Sequence, residues 1–122
     1  MGKVLVVDDE VEICRVLEKF LVAKDHEVFT AFDGRSAIEK VRELKPQVVL
    51  LDVSLPGIDG VEVLEQIKRI DADIGVVMVT GLMDREQAER TFELGAYDYV
   101  TKPVDFTYLE YVISAKMIEL MG

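Results

Sequence analysis

Asp8, Asp9, Asp52, Thr80 and Lys102 supply three carboxylates, a hydroxyl and an amine, and each stands at the end of a short apolar run. Taken singly, each has an ordinary reading as a helix cap or a strand-end turn. Brought together they make a demanding site. Two carboxylates about 4 Å apart repel by roughly 1 kcal/mol in bulk water and about 4 kcal/mol at an effective dielectric of about 20. A single Lys cannot balance three of them, so either one carboxyl stays protonated, its pKa raised by its neighbours, or a cation occupies the site. Oxygen-only ligation without His or Cys points to a hard ion. Mg²⁺ is the best match, because it accepts a few carboxylates and keeps water or phosphate oxygens in its other positions. Such a group lacks the base that acyl transfer needs beside its nucleophile. It suits in-line phosphoryl transfer, where developing oxygen charge meets a metal, a Lys and hydrogen-bond donors. Asp52 as the nucleophile would form an aspartyl phosphate.

The segments between these residues predict how they meet. Lys3–Val7 is a Val-rich run ending at Asp8-Asp9-Glu10, and Val48–Asp52 is a second run, continuous in apolar residues and closed by the Pro/Gly loop Leu55–Gly60. Runs of this kind read as strands buried on both faces of a parallel sheet. Glu27–Ala31, Gly75–Thr80 and Tyr97–Thr101 predict three more strands. Between them, apolar residues recur at helical spacing. The first helix, from Val11, carries Ile13, Val16, Leu17, Phe20 and Leu21 on its core face, with Asp8 or Asp9 as its N-cap. Gly34–Leu44 ends near Lys45-Pro46; a third helix carries Val63, Leu64, Ile67 and Ile70; a fourth, from about Arg85, carries Ala88, Phe92 and Leu94 and stops at Gly95; Phe106–Met121 closes the chain. Five βα units with no low-complexity linker predict one α/β domain over residues 1–122, doubly wound, with parallel strands in the flavodoxin-like order 2-1-3-4-5 and helices on both faces. In that order the first and third strands are neighbours at the topological switch point, and all the strand ends share one edge.

Composition narrows the classes. Half of the 122 residues are hydrophobic and 31% are charged, which is globular rather than disordered. The net charge of −10 argues against direct binding of nucleic acid and suits a cation or a basic partner surface. No apolar run approaches the roughly 20 residues that span a bilayer, and Met1-Gly2-Lys3 enters a strand pattern without a secretory signal. Val6 stands where a myristoylation motif needs Ser or Thr. Cys14 is the single cysteine, which excludes an internal disulfide and suits a reducing cytoplasm, and its place on an apolar helix face predicts a buried, inert thiol. His26 has no ligand partners at metal spacing and reads as incidental.

Nearly the whole chain resembles the receiver domain of two-component response regulators, of the chemotaxis-regulator type. The resemblance is carried by Val6-Val7-Asp8-Asp9-Glu10, Leu51-Asp52, Leu55-Pro56-Gly57-Ile58-Asp59-Gly60, Val79-Thr80-Gly81 and Tyr99-Val100-Thr101-Lys102-Pro103. It implies a signalling switch in which Asp52 accepts a phosphoryl group from a phosphohistidine on a sensor histidine kinase or histidine phosphotransfer protein. It implies Mg²⁺ (or Mn²⁺) held by Asp9, Asp52 and the Ser54 backbone carbonyl, with Asp8 acting through water. Lys102 would pair with the phosphoryl oxygens, the Lys102–Pro103 peptide would be cis, and Thr80 with Tyr99 would be the switch pair. Pro56, Gly57 and Gly60 would frame the pocket. Ser54 and Leu82-Met83 occupy positions that tune the lifetime of the phosphoryl group, and Gly81 replaces a frequent Ala. Catalysis would be limited to the domain's own phosphorylation and dephosphorylation, and the output would be a changed surface for an effector or output domain.

Rival readings fit less well. A haloacid-dehalogenase-like phosphohydrolase has a second Asp two residues after its nucleophile, where this chain has Ser54. A flavodoxin needs a phosphate-binding loop after its first strand, and Asp8-Asp9-Glu10 would repel one. A receiver that binds partners without phosphorylation would not need the complete acidic set. The last helix carries Phe106, Leu109, Val112, Ile113 and Met117 in one stripe, and Tyr108, Tyr111, Ile118 and Met121 widen it beyond one core contact. That breadth predicts a signalling face on the fourth helix, fifth strand and fifth helix, with a homodimer contact there.

Overall fold

The apolar runs pair as parallel strands, each returned to the same edge by a helix. The computed structural model describes residues 2–81 and 84–122. In chain order the elements are β1 (Lys3–Val7), α1 (Val11–Ala23), β2 (Glu27–Ala31), α2 (Gly34–Leu44), β3 (Val48–Leu51), α3 (Gly60–Ile70), β4 (Gly75–Thr80), α4 (Arg85–Glu93), β5 (Asp98–Thr101) and α5 (Phe106–Leu120). The sheet runs β2-β1-β3-β4-β5, parallel throughout. This is the α/β architecture that the alternation of periods predicts.

Strand geometry divides the core in two, because successive side chains point to opposite faces. Leu5, Val7, Val49, Leu51, Val76 and Met78 pack against Ala37, Ile38 and Val41 of α2 and Val63, Leu64 and Ile67 of α3. Val4, Val6, Val48, Leu50, Val77 and Val79 pack against Cys14, Leu17 and Leu21 of α1 and Leu109, Val112, Ile113 and Met117 of α5. β1 from Val4 onward and all of β3 are no more than 1% exposed, so the strands that carry Asp8 and Asp52 are held from both sides. Among the described residues, no helix is long and apolar enough to cross a membrane.

Several details differ from the sequence reading. β3 stops at Leu51, leaving Asp52 just beyond the ladder, and β5 begins at Asp98 rather than Tyr97. Val16 is 52% exposed, because Cys14, Leu17 and Leu21 form the buried line of α1 and Val16 falls on its other side. The N-cap of α1 is Glu10, not Asp8 or Asp9, and its side chain makes no capping bond. Asp8 is unavailable for that job because its carboxylate is engaged elsewhere. His26 is buried rather than incidental: its Nε2 lies 3.6 Å from Glu110 Oε1 on α5, an oxygen that also accepts from the Ser114 hydroxyl at 3.0 Å. Cys14 is buried as expected, with its thiol donating to the Asp8 carbonyl at 3.4 Å. Burial, followed by the Asp8 charge, pushes that thiol up to about 11, so little reactive thiolate forms near neutrality.

Candidate functional site

The backbone ladder continues one residue past the strands and draws their ends together. The Asp52 N–H donates to the Val7 carbonyl at 3.0 Å, the Asp8 N–H to Ala31 at 3.1 Å, and the Lys102 N–H to Thr80 at 2.8 Å. Because Val7 pairs with Leu51 and Thr80 with Thr101, Asp8 and Asp52 stand side by side, with Lys102 arriving from β5. Asp8 is 2% exposed, Asp52 5% and Thr80 1%.

Lys102 sits at the centre. Its ammonium donates to Asp8 Oδ2 at 2.7 Å and to Asp52 Oδ2 at 3.0 Å, and lies 3.6 Å from Glu10 Oε1. The other carboxylate oxygens are held by local backbone: Asp8 Oδ1 accepts the Glu10 N–H at 2.9 Å, and Asp52 Oδ1 accepts the Ser54 N–H at 3.0 Å. Both acids are thus oriented by a charged partner on one side and an amide on the other. Burial raises the Asp8 pKa, and the Asp52 charge adds to that, while Lys102 and the Glu10 amide pull it back without cancelling the rise. Burial of Lys102 disfavours its charge, but its hydrogen bonds to Asp8 and Asp52 outweigh this and hold its pKa above the ordinary lysine value.

Oxygens of Asp8, Glu10 and Asp52 lie within 4.8 Å of one another. Three carboxylates against one ammonium leave surplus negative charge, and the donors are all hard oxygens. That donor set fits a hard divalent cation. Asp9 is not part of this cluster. It is exposed and lines an adjacent depression with Val53, Ser54, Leu55, Pro56, Asp59 and Gln87. Glu10 is the acid that the sequence reading left without a role. Its only signal there is its place two residues after Asp8, which lets its own N–H close back on the Asp8 carboxylate.

The loop beyond Asp52 is shaped by glycine. Gly57 has φ 77°, in the left-handed region. At Gly60 the constraint is space: its N–H donates to the Val53 carbonyl at 2.8 Å, and an added Cβ would lie 2.2 Å from the Asp52 carbonyl oxygen and 2.6 Å from Val53 Cα. Those are backbone atoms, so the loop itself would have to move. Gly60→Ala is expected to lower stability by about 1–3 kcal/mol, as overpacking does, and urea unfolding measures it. The Lys102–Pro103 peptide is cis, the form the resemblance implies.

Tyr99 is half-buried on β5 and lines a cavity with Asp84, Arg85, Ala88, Phe92 and Thr101. Burial raises the pKa of its hydroxyl, and the charges of Asp84 and Asp52 add to this. Leu82 and Met83, which the resemblance assigns to lifetime tuning, lie outside the described residues.

Comparison with known proteins agrees with this geometry. The family model for the response regulator receiver domain matches residues 4–114. The chain is 44% identical over 108 residues to the probable transcriptional regulator ycf27 of Galdieria sulphuraria, with 88% of this chain and 42% of that protein covered. It therefore spans about two fifths of that relative's length. Among solved structures, a CheY-like response regulator receiver domain protein of Methanospirillum hungatei superposes with a TM-score of 0.93 at 28% identity, over 98% of this chain and 95% of that one. NtrX of Brucella abortus superposes with a TM-score of 0.88 at 33% identity, over 98% of this chain and 28% of that one.

Proposed function

Because the chain belongs to the response regulator receiver domain family, whose members are phosphorylation-controlled signalling modules, we propose that residues 1–122 form one receiver unit that is phosphorylated on Asp52. The observation that carries this reading is the Asp52 carboxylate itself: buried at the sheet edge, with one oxygen on the Ser54 amide and the other on the Lys102 ammonium. The donor is a phosphohistidine on a sensor histidine kinase or histidine phosphotransfer protein. An Asp52 oxygen forms a bond to phosphorus as the P–N bond breaks, and the imidazole nitrogen keeps that electron pair. Lys102 exchanges its carboxylate contacts for the arriving phosphoryl oxygens and meets their charge. Asp9 lies outside the Asp8–Glu10–Asp52 cluster but shares the adjacent depression with Ser54, and from there Asp9, Asp52 and the Ser54 backbone carbonyl would hold Mg²⁺ (or Mn²⁺) drawn by the surplus charge, with Asp8 acting through water. When bound, the ion adds positive charge against the phosphoryl oxygens.

Phosphorylation adds a charge of about −1.5 to −2 and strong acceptor oxygens, which biases an element that has two packings. Thr80 and Tyr99 are the elements so biased: the hydroxyl moves toward the phosphoryl group and the ring turns into the space it leaves. The output is an altered surface for an effector or output domain, or for a second copy of the chain. Phe92, Tyr108, Tyr111, Ile118 and Met121 expose apolar area on α4 and α5 and at the end of α5, which supports a homodimer contact across α4, β5 and α5. The net charge of −10 supports a domain that does not bind nucleic acid directly, and a single cysteine with no intrachain partner supports a cytoplasmic setting. Its catalysis is confined to its own phosphorylation and dephosphorylation.

Incubation with acetyl phosphate and Mg²⁺, followed by intact-mass and peptide mass spectrometry, tests this reading. One added phosphoryl group, mapped to Asp52, is the expected result. No gain, or a gain only on another residue, overturns it.

A further inference from the structure

Glu10 is the acid of this pocket that the proposed transfer leaves unused. Its carboxylate lies 3.6 Å from the Lys102 ammonium, and exposure sets it apart from the other two partners. The Glu10 side chain is 63% exposed, against 15% for Lys102, 3% for Asp8 and 7% for Asp52. Lys102 therefore has Asp8 and Asp52 on its buried side and Glu10 on its solvent side. Local backbone fixes this placement. The Asp8 carboxylate takes the Glu10 N–H at 2.9 Å, and the Glu10 carbonyl accepts from the Ile13 and Cys14 amides at 3.1 and 3.2 Å in the first turn of α1. The side chain makes no capping bond to that helix, and its carboxylate lies beside Lys102 instead.

A phosphodonor reaches Asp52 from the solvent side, because β3 is buried on both faces behind it. Phosphoryl oxygens that reach the Lys102 ammonium come within a few ångströms of the Glu10 carboxylate, which lies 3.6 Å from it. We propose that Glu10 is a specificity-determining residue for the phosphodonor, disfavouring dianionic donors relative to donors of lower negative charge. This inference rests on the reading of Asp52 as the phosphoacceptor. Acetyl phosphate arrives as a dianion: its P–O bond to the acyl group breaks, acetate leaves with the electron pair, and Asp52 gains the new P–O bond. Phosphoramidate arrives as a monoanion with a protonated nitrogen: its P–N bond breaks, neutral ammonia leaves with the electron pair, and an Asp52 oxygen forms the new P–O bond. The protonated nitrogen offsets one negative charge, so the Glu10 carboxylate opposes phosphoramidate less.

The test compares the rates of Asp52 phosphorylation by the two donors at saturating Mg²⁺ and matched ionic strength, in the wild type, Glu10→Gln and Glu10→Asp. Glu10→Gln is expected to raise the ratio of acetyl phosphate rate to phosphoramidate rate about fivefold at low salt, the scale of one charge acting over a few ångströms of partly aqueous medium. The gain should shrink as added salt shortens the screening length, and Glu10→Asp should keep a ratio near that of the wild type. An unchanged ratio in Glu10→Gln, a change that salt leaves untouched, or an equal change in both rates overturns the inference, since the last would place Glu10's action on the ion or on Lys102. If Asp52 of the wild type is labelled by neither donor, the phosphoacceptor reading falls and takes this inference with it. Labelled Asp52 with an unaltered donor ratio overturns this inference alone.

Discussion

Replacing Asp52 with asparagine is expected to abolish phosphorylation by acetyl phosphate in the presence of Mg²⁺, lowering the rate by more than about 10⁴-fold, the scale on which removal of a nucleophile acts. The side chain keeps its shape but loses the carboxylate that attacks phosphorus. It also fits its surroundings less well. Asp52 presents one oxygen to the Ser54 amide and the other to the Lys102 ammonium, and both of these neighbours are donors. An Asn amide offers one acceptor and one NH₂, so in either orientation a donor faces a donor. Against this, one of three crowded carboxylates is gone, which relieves repulsion with Asp8. The two effects oppose each other, so the variant should remain folded by circular dichroism while its mass stays unchanged after incubation. A phosphoryl gain that persists in Asp52→Asn would show that another residue is the acceptor.

Lys102→Met should have the largest effect on stability. The ammonium is the positive partner of two nearly buried carboxylates, at 2.7 and 3.0 Å, and its own side chain is only 15% exposed. Breaking a buried pair by removing one partner costs about 3–5 kcal/mol, because the remaining charge is left uncompensated. The pH dependence follows from Asp8, whose folded-state pKa already lies above its ordinary value because burial outweighs its stabilising partners. Without Lys102 two of those partner contributions disappear, and the carboxyl moves further up. A folded-state pKa above the unfolded one contributes stability that is present below the unfolded value and lost as pH rises through the folded value. Urea unfolding should therefore show a smaller deficit near pH 4 than near pH 7. Mg²⁺ should recover part of the loss at pH 7, since an ion that binds only the folded state stabilises it by about 2.7 kcal/mol at a concentration of about 100 times its dissociation constant. Equal stability of variant and wild type at both pH values would show that the ammonium does not compensate the buried acids.

Much of this arrangement is legible in the chain because the decisive strands are buried on both faces. Val4–Val7 and Val48–Leu51 have no solvent side, so they read as unbroken apolar runs, and a polar residue ending such a run stands out. The ladder then carries Asp8, Asp52, Thr80 and Lys102 to one edge with little freedom left. Side-chain direction just past the strand ends is less legible. Asp8, Asp9 and Glu10 are adjacent acids, and which of them turns inward depends on Lys102, far along the chain. The same holds for His26, whose neighbour Glu110 lies on another element. Val16 shows a different loss. α1 has apolar residues on two sides, including the exposed Val11, Val16 and Val22, and periodicity alone does not say which side faces the sheet.

The uneven anchoring of the helices also bears on how a signal leaves the pocket. α2 and α3 each bury several side chains in the core, whereas among the described residues of α4 Thr91 alone is buried. Local opening is cheapest where few apolar contacts must be broken. α4 is therefore the segment whose amides should exchange with solvent through excursions that leave β1 and β3 closed. The acidic pocket rests on strands buried on both faces, and the cavity beside Tyr99 borders α4, the helix with the fewest buried side chains. A fixed change in free energy at Asp52 would then be spread unequally, shifting the population of α4 conformers long before it loosens the strands that hold the phosphoacceptor.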